Sequence, residues 1–216
     1  MNKLKTAVLF AIFIVSLQAV TAQNSPIKFN FKDFNQVQID HVNGQVEIEL
    51  GQSFQVSVSN SNNAAEQIKV TLTGEKLIFR LDEKYRNNWK NIKPVVIKIR
   101  LPALNAVLNT SNADVRVNKY TGKHLEIKNN GNGDVTITGT ETESLEIENN
   151  GNGNVDTKNI NTQKVTIAKS GNGDVSIKTS SNFKVAMAGN GDVVNYGPGQ
   201  ATIEKQSGNG KVVYRN

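Results

Sequence analysis

The side chains with most scope for chemistry recur at a fixed interval. Asp114, Asp134, Asp174 and Asp192 occupy the fourth place of a repeated phrase. It runs Ser111-Asn-Ala-Asp-Val115, Gly131-Asn-Gly-Asp-Val135, Gly151-Asn-Gly-Asn-Val155, Gly171-Asn-Gly-Asp-Val175, Gly189-Asn-Gly-Asp-Val193 and Gly208-Asn-Gly-Lys-Val212. Regularly spaced carboxylates can hold a hard cation, and glycine-aspartate repeats that bind calcium do so on a nonapeptide period. Here the period is about twenty, Asn154 interrupts the acids and Lys211 ends them. The pattern therefore predicts turn chemistry, with no metal and no cofactor. A second cluster, Lys84-Tyr-Arg-Asn-Asn-Trp-Lys-Asn-Ile-Lys93, sets Tyr85, Arg86, Trp89 and Lys90 together. Aromatic faces among cations suit sugar rings or acidic surfaces, so these four are the predicted binding residues. The plainer alternative is a solvated loop with Trp89 tucked against the N-terminal part. Cleaving a polysaccharide would need grouped carboxylates, or an acid with a basic partner, on one face. Arg116, Thr136, Asp156 and Ser176 differ in type, Glu126 and Glu146 give way to Thr166 and Ala186, and His41 and His124 lie far apart. No residue is assigned a catalytic role, and the chain is expected not to be an enzyme.

The elements carrying these residues follow from the apolar pattern. Val115/Val117, Val135/Ile137, Val155/Thr157, Val175/Ile177, Val193 and Val212 form one series. Leu125/Ile127, Leu145/Ile147, Val165/Ile167, Val185/Met187 and Ala201/Ile203 form the other. Residues two apart share a strand face, so each unit holds two short strands and two turns. Antiparallel hairpins would make a meander. Strict recurrence favours one coil per unit, with equivalent strands stacked in parallel, because identical positions then keep identical surroundings. The prediction is an all-β fold: a right-handed parallel β-solenoid (β-helix-like) with coils of about 20 residues and an irregular β N-terminal part. Gly131, Gly133, Gly151, Gly153, Gly171, Gly173, Gly189, Gly191, Gly208 and Gly210 are its predicted structural turn residues, attributed to positive φ. Asn132, Asn152, Asn172, Asn190 and Asn209 are expected to bond from coil to coil as an amide ladder.

Before the repeats, alternating stretches such as Val37–Ile39, Val46–Leu50, Leu77–Leu81 and Val95–Leu101 predict further strands, and Val42-Asn-Gly-Gln-Val46 echoes the corner phrase. Lys3 and Lys5, the apolar run from Ala7 to Leu17 and the small residues Val20-Thr-Ala22 read as a secretory signal peptide over 1–22. Residues 23–102 are read as the irregular part of one domain and 103–216 as its regular coils. Removing the leader takes the formal charge from +6 to +4, too modest and too dispersed to argue for nucleic acid. No apolar run is long enough for a membrane span, and there is no cysteine for a disulfide or a lipid.

The leader, Phe34-Asn-Gln-Val-Gln-Ile39, Val46-Glu-Ile-Glu-Leu-Gly-Gln52, Val95-Val-Ile-Lys-Ile-Arg-Leu-Pro102 and the serial Gly-Asn-Gly-Asp corners occur in a characteristic order. In this the chain resembles the putative auto-transporter adhesin, head GIN domain family, typical of Bacteroidetes. The resemblance spans roughly residues 27–214. It implies an all-β stack at or beyond the cell envelope and an adhesive role, and it brings no catalytic motif. The expected protein is secreted to the periplasm or outer surface. There it binds an unknown glycan or protein through its sheet faces and the loop around Trp89. Self-assembly into a homo-oligomeric envelope structure is the alternative, and glycan cleavage the least favoured.

Overall fold

Two residues of each strand point inward and the residue between them points out, and that alternation builds the repeats. A computed structural model describes residues 25–59, 61–87 and 91–215. The predicted leader, Trp89 and Lys90 lie outside the described residues. The strands are β1 (Ile27–Phe29), β2 (Gln36–Asp40), β3 (Gly44–Leu50), β4 (Gln55–Val58), β5 (Ile68–Thr73), β6 (Lys76–Leu81), β7 (Val95–Leu101), β8 (Ala106–Thr110) and β9 (Asp114–Tyr120). They continue as β10 (His124–Asn129), β11 (Val135–Asn149), β12 (Val155–Lys169), β13 (Val175–Ile177), β14 (Phe183–Met187), β15 (Val193–Asn195), β16 (Ala201–Gln206) and β17 (Val212–Tyr214). One short helix, α1 (Glu83–Arg86), and a 3-10 segment at Ser61–Gln67 interrupt them.

The fold is all-β, as predicted, in one curled sheet of 17 described strands. Its orientation is mixed, not wholly parallel. The repeats pair in parallel one unit apart: Val115 with Val135, Val135 with Val155, Val155 with Val175, Val175 with Val193 and Val193 with Val212. A meander is thereby ruled out for the repeats. The pairs β1–β4, β4–β7 and β5–β6 are antiparallel. Two rows of strands result. One runs β5–β6–β2–β8–β10–β11–β12–β14–β16, the other β1–β4–β7–β3–β9–β11–β12–β13–β15–β17, with the long β11 and β12 bending through both.

Stack order departs from chain order near the start. The unit β2–β3 comes first in sequence, yet β2 pairs with β6 on one side and β8 on the other. Likewise β3 lies between β7 and β9. Its apolar pattern fits there because Val37, Ile39, Val46 and Ile48 are all fully buried.

The core is a continuous column of Val, Ile and Leu between the rows, with Phe34, Phe79 and Tyr120 filling its wider N-terminal half. Beta-branched residues suit such a thin, two-sided core. The inward series holds until the last unit, where Ala201 packs only partly and Ile203 is 47% exposed. Ile203 still pairs in register with Val185, but β16 has a partner on one side only among the described strands, so that face stays open; the register shift comes after Ile203.

Candidate functional site

Each strand of the first row reaches the second through a corner, and the corner phrase is explained by stacking distance. A Cβ on Gly131 would lie 2.0 Å from the Ser111 carbonyl oxygen, one on Gly151 1.9 Å from that of Gly131, and one on Gly171 1.8 Å from that of Gly151. Gly133, Gly153, Gly173, Gly191 and Gly210 meet the carbonyl below them at 2.0–2.3 Å. Positive φ, the predicted cause, occurs within the phrase only at Gly189 (+87°) and Gly208 (+86°), where the corner has shortened. Elsewhere glycine is required because backbone lies on backbone.

Three ladders of side chains tie these corners together. In the outermost, each asparagine Nδ2 donates to the Oδ1 of the unit below. It runs Asn209 to Asn190 (2.9 Å), Asn190 to Asn172 (2.9 Å), Asn172 to Asn152 (2.8 Å), Asn152 to Asn132 (2.9 Å) and Asn132 to Asn112 (2.8 Å). The second uses the Asp position. Oδ1 of Asp114, Asp134, Asn154, Asp174 and Asp192 accepts the backbone N–H of Asp134, Asn154, Asp174, Asp192 and Lys211 in turn. Only an acceptor oxygen is needed, so Asn154 serves as well as aspartate, and Lys211 joins through its backbone alone. The third is buried and was missed in the sequence, although its twenty-residue spacing was visible. Asn109, Asn129 and Asn149 point inward and donate to the corner carbonyls of Ala113, Gly133 and Gly153 at 3.0–3.1 Å.

One corner is different. Between β6 and β7 the turn expands into the segment 82–94, which carries the predicted Tyr85–Lys90 cluster. Asp82 caps α1 by accepting from Lys84 N at 3.0 Å. Gln67 anchors the return, accepting from Lys93 N at 2.9 Å and donating to Asn91 O at 3.3 Å. Against the neighbouring corners this segment leaves a cleft of about 430 Å³. Val42, Leu81 and Ile92 supply apolar surface, while His41, Asn43, Arg86, Thr110, Ser111 and Asn112 supply polar groups. None of these is acidic.

Beneath the cleft lies a buried carboxylate. Asp40 Oδ1 meets His41 Nδ1 and accepts from Thr110 Oγ1 at 3.1 Å, and Oδ2 accepts from Arg80 Nε at 2.6 Å. Burial raises the Asp40 carboxyl, but the bonds from His41, Arg80 and Thr110 outweigh it and hold the group below the usual carboxylate range. His41 is held with φ 56° and its side chain is 63% exposed. Its Nε2 has no partner among the described residues. With Nδ1–H given to Asp40, the neutral ring presents Nε2 outward as a hydrogen-bond acceptor. No nucleophile is aligned with it, since Ser111 Oγ is buried and donates to Asn109 Oδ1 at 2.6 Å.

Of the predicted binding residues, Arg86 lines this cleft and Tyr85 is half-buried beside it, with Lys84 Nζ 4.9 Å from its ring centre. Asp40, His41 and Asn112 were not singled out for binding. The echo of the corner phrase at Val42–Val46 was the available signal, because it placed His41 at the same kind of turn.

One solved structure agrees on the fold. A putative adhesin from Bacteroides fragilis superposes with a TM-score of 0.70 at 20% identity, covering 91% of this chain and 98% of that one. A putative adhesin from Parabacteroides merdae gives 0.46 at 15% identity with the same coverages. No curated protein sequence matches. The family model for the putative auto-transporter adhesin, head GIN domain, matches residues 33–216, and the chain belongs to that family.

Proposed function

We propose that this protein is a secreted, non-enzymatic adhesin of the cell envelope that holds a glycan or protein ligand in the corner cleft beside segment 82–94. The family carries the adhesive side of this reading. The cleft carries the rest: it is the one corner where the stack gives up a short turn for a longer segment, and it combines apolar floor with polar rim as ligand sites do. The stack is a right-handed solenoid in this reading, since parallel crossovers take that hand, and its rigidity keeps the cleft open. The test is binding of the purified chain to immobilised glycans and matrix proteins, against a variant in which 83–92 is replaced by a short Gly-Asn-Gly corner. Loss of binding with retained melting is expected. Undiminished binding by the shortened variant would move the site elsewhere.

Self-assembly has one observation in its favour. Ile203 (47% exposed) and Tyr214 (41%) sit at the C-terminal end, where β16 and β17 each lack a partner on one side. If copies associate there, sedimentation shows a mass rising with concentration that Ile203→Lys abolishes. A monomer at all concentrations ends this second reading.

A further inference from the structure

The amide ladder has a direction, and its donor end opens into the cleft. Every link from Asn209 down to Asn132 spends an Nδ2 donor on the unit below. Asn112 is the last member. Its Oδ1 accepts from Asn132, and its own Nδ2 has no acceptor among the described residues. Hydrogen bonds aligned in one sense polarise one another, so the terminal N–H is a stronger donor than an isolated amide. That N–H lines the same cleft as His41 and Arg86. Arg86 has no ion pair among the described residues. His41 has its Nδ1 committed to Asp40, which leaves Nε2 as the exposed group. The acids of the segment, Asp82 and Glu83, line a separate hollow with Lys69 and Arg80. Donors from Arg86 and Asn112 therefore converge on one opening, beside the exposed His41 ring, and no carboxylate side chain lines it among the described residues.

From this convergence we infer that the cleft binds an acidic saccharide, with its carboxylate or sulfate held by Arg86 and the Asn112 amide. The inference rests on the adhesin reading and specifies its ligand. Amide and hydroxyl groups from Asn43 and Thr110 suit sugar hydroxyls, while the partly exposed Ile92 suits a ring face. An arginine and a polarised amide are the partners that recognise an oxyanion directionally.

The test is interferometry of the full-length mature protein on immobilised polygalacturonate, dextran sulfate and neutral dextran, at low and high salt. Both variants preserve the fold. Asn112→Asp keeps the acceptor that Asn132 needs but puts a negative charge at the donor end, and Arg86→Gln changes an exposed side chain. The expected result is salt-sensitive binding to an acidic polymer, weakened about tenfold or more by either change, which is the scale of one charge-assisted hydrogen bond. Lys205→Gln, which removes an exposed cation near the far end of the stack, leaves binding unchanged. Preference for the uronate or for the sulfate assigns the oxyanion. Equal binding to neutral dextran, or parental binding by both variants, overturns the inference while the adhesin reading stands. Binding to matrix proteins and to no polysaccharide overturns it in the same way. Binding to no glycan and no protein removes both.

Discussion

Lys169 stands in a column of amides. It pairs with Asn149 on one side and Met187 on the other, and only 3% of its surface is exposed. Its ammonium donates to the carbonyls of Gly171 (3.2 Å) and Gly191 (2.7 Å), doing with a charge what Asn109, Asn129 and Asn149 do with neutral amides. Burial lowers its pKa, and the nearby Asp174 and Asp192 only partly oppose this. Between the lowered folded pKa and the ordinary lysine value the unfolded chain binds more protons, so this site gains stability as pH rises through that window. Below the window the full cost is present. Lys169→Asn should therefore melt above the parent at neutral pH, and the difference should shrink as pH approaches about 10. Equal melting at neutral pH would show the ammonium to be fully compensated. The aspartate ladder yields a second residue-scale expectation. Asp134→Asn keeps the acceptor for Asn154 N–H and should be silent with or without calcium, whereas Asp134→Ala removes it and should cost about 1 kcal/mol in denaturant unfolding. A calcium-dependent shift abolished by Asp134→Asn would overturn the backbone role of that column.

At the scale of elements, the corner is a contact between backbones. Gly151→Ala puts a methyl 1.9 Å from the Gly131 oxygen and must push the neighbouring units apart, so a loss above about 3 kcal/mol is expected. Gly74→Ala, at φ +57° in the β5–β6 hairpin with nothing within 4 Å, should cost only about 1 kcal/mol. Similar losses would refute the close-approach account. Much of this level was legible in the chain. Two-residue alternation located the strands, and the twenty-residue recurrence predicted both parallel stacking and the Asn132–Asn209 ladder, to which the structure adds Asn112. Three things were not legible. The buried asparagines were missed because a polar residue before a turn looks solvated, and only stacking supplies the inward carbonyls that satisfy it. The Asp40 cluster joins Arg80 and Thr110, distant in sequence, and becomes visible only once β2 is known to lie between β6 and β8. Ile203 is left half exposed because β16 is paired on one side only among the described strands, which the Ala201/Ile203 alternation does not reveal.

At the scale of the whole molecule, cooperative strength should fall toward the C-terminal end. β17 has a partner on one side only and its residues are half-buried or exposed, while β2 and β3 are paired on both sides over a fully buried core. Amide hydrogen exchange should accordingly be fastest in β16 and β17 and slowest in β2, β3, β8 and β9. Uniform exchange would instead indicate a single cooperative unit. The intercalated unit has a mechanical side as well. Tension entering at the N-terminal end first meets β1, an edge strand paired only with β4, and then arrives at β2, which is bonded to β6 along one flank and to β8 along the other. Extracting it means shearing both ladders at once instead of peeling a single one. A molecule held by that end and loaded through a ligand at the corner cleft would thus give up β1 early and then resist at a doubly bonded layer.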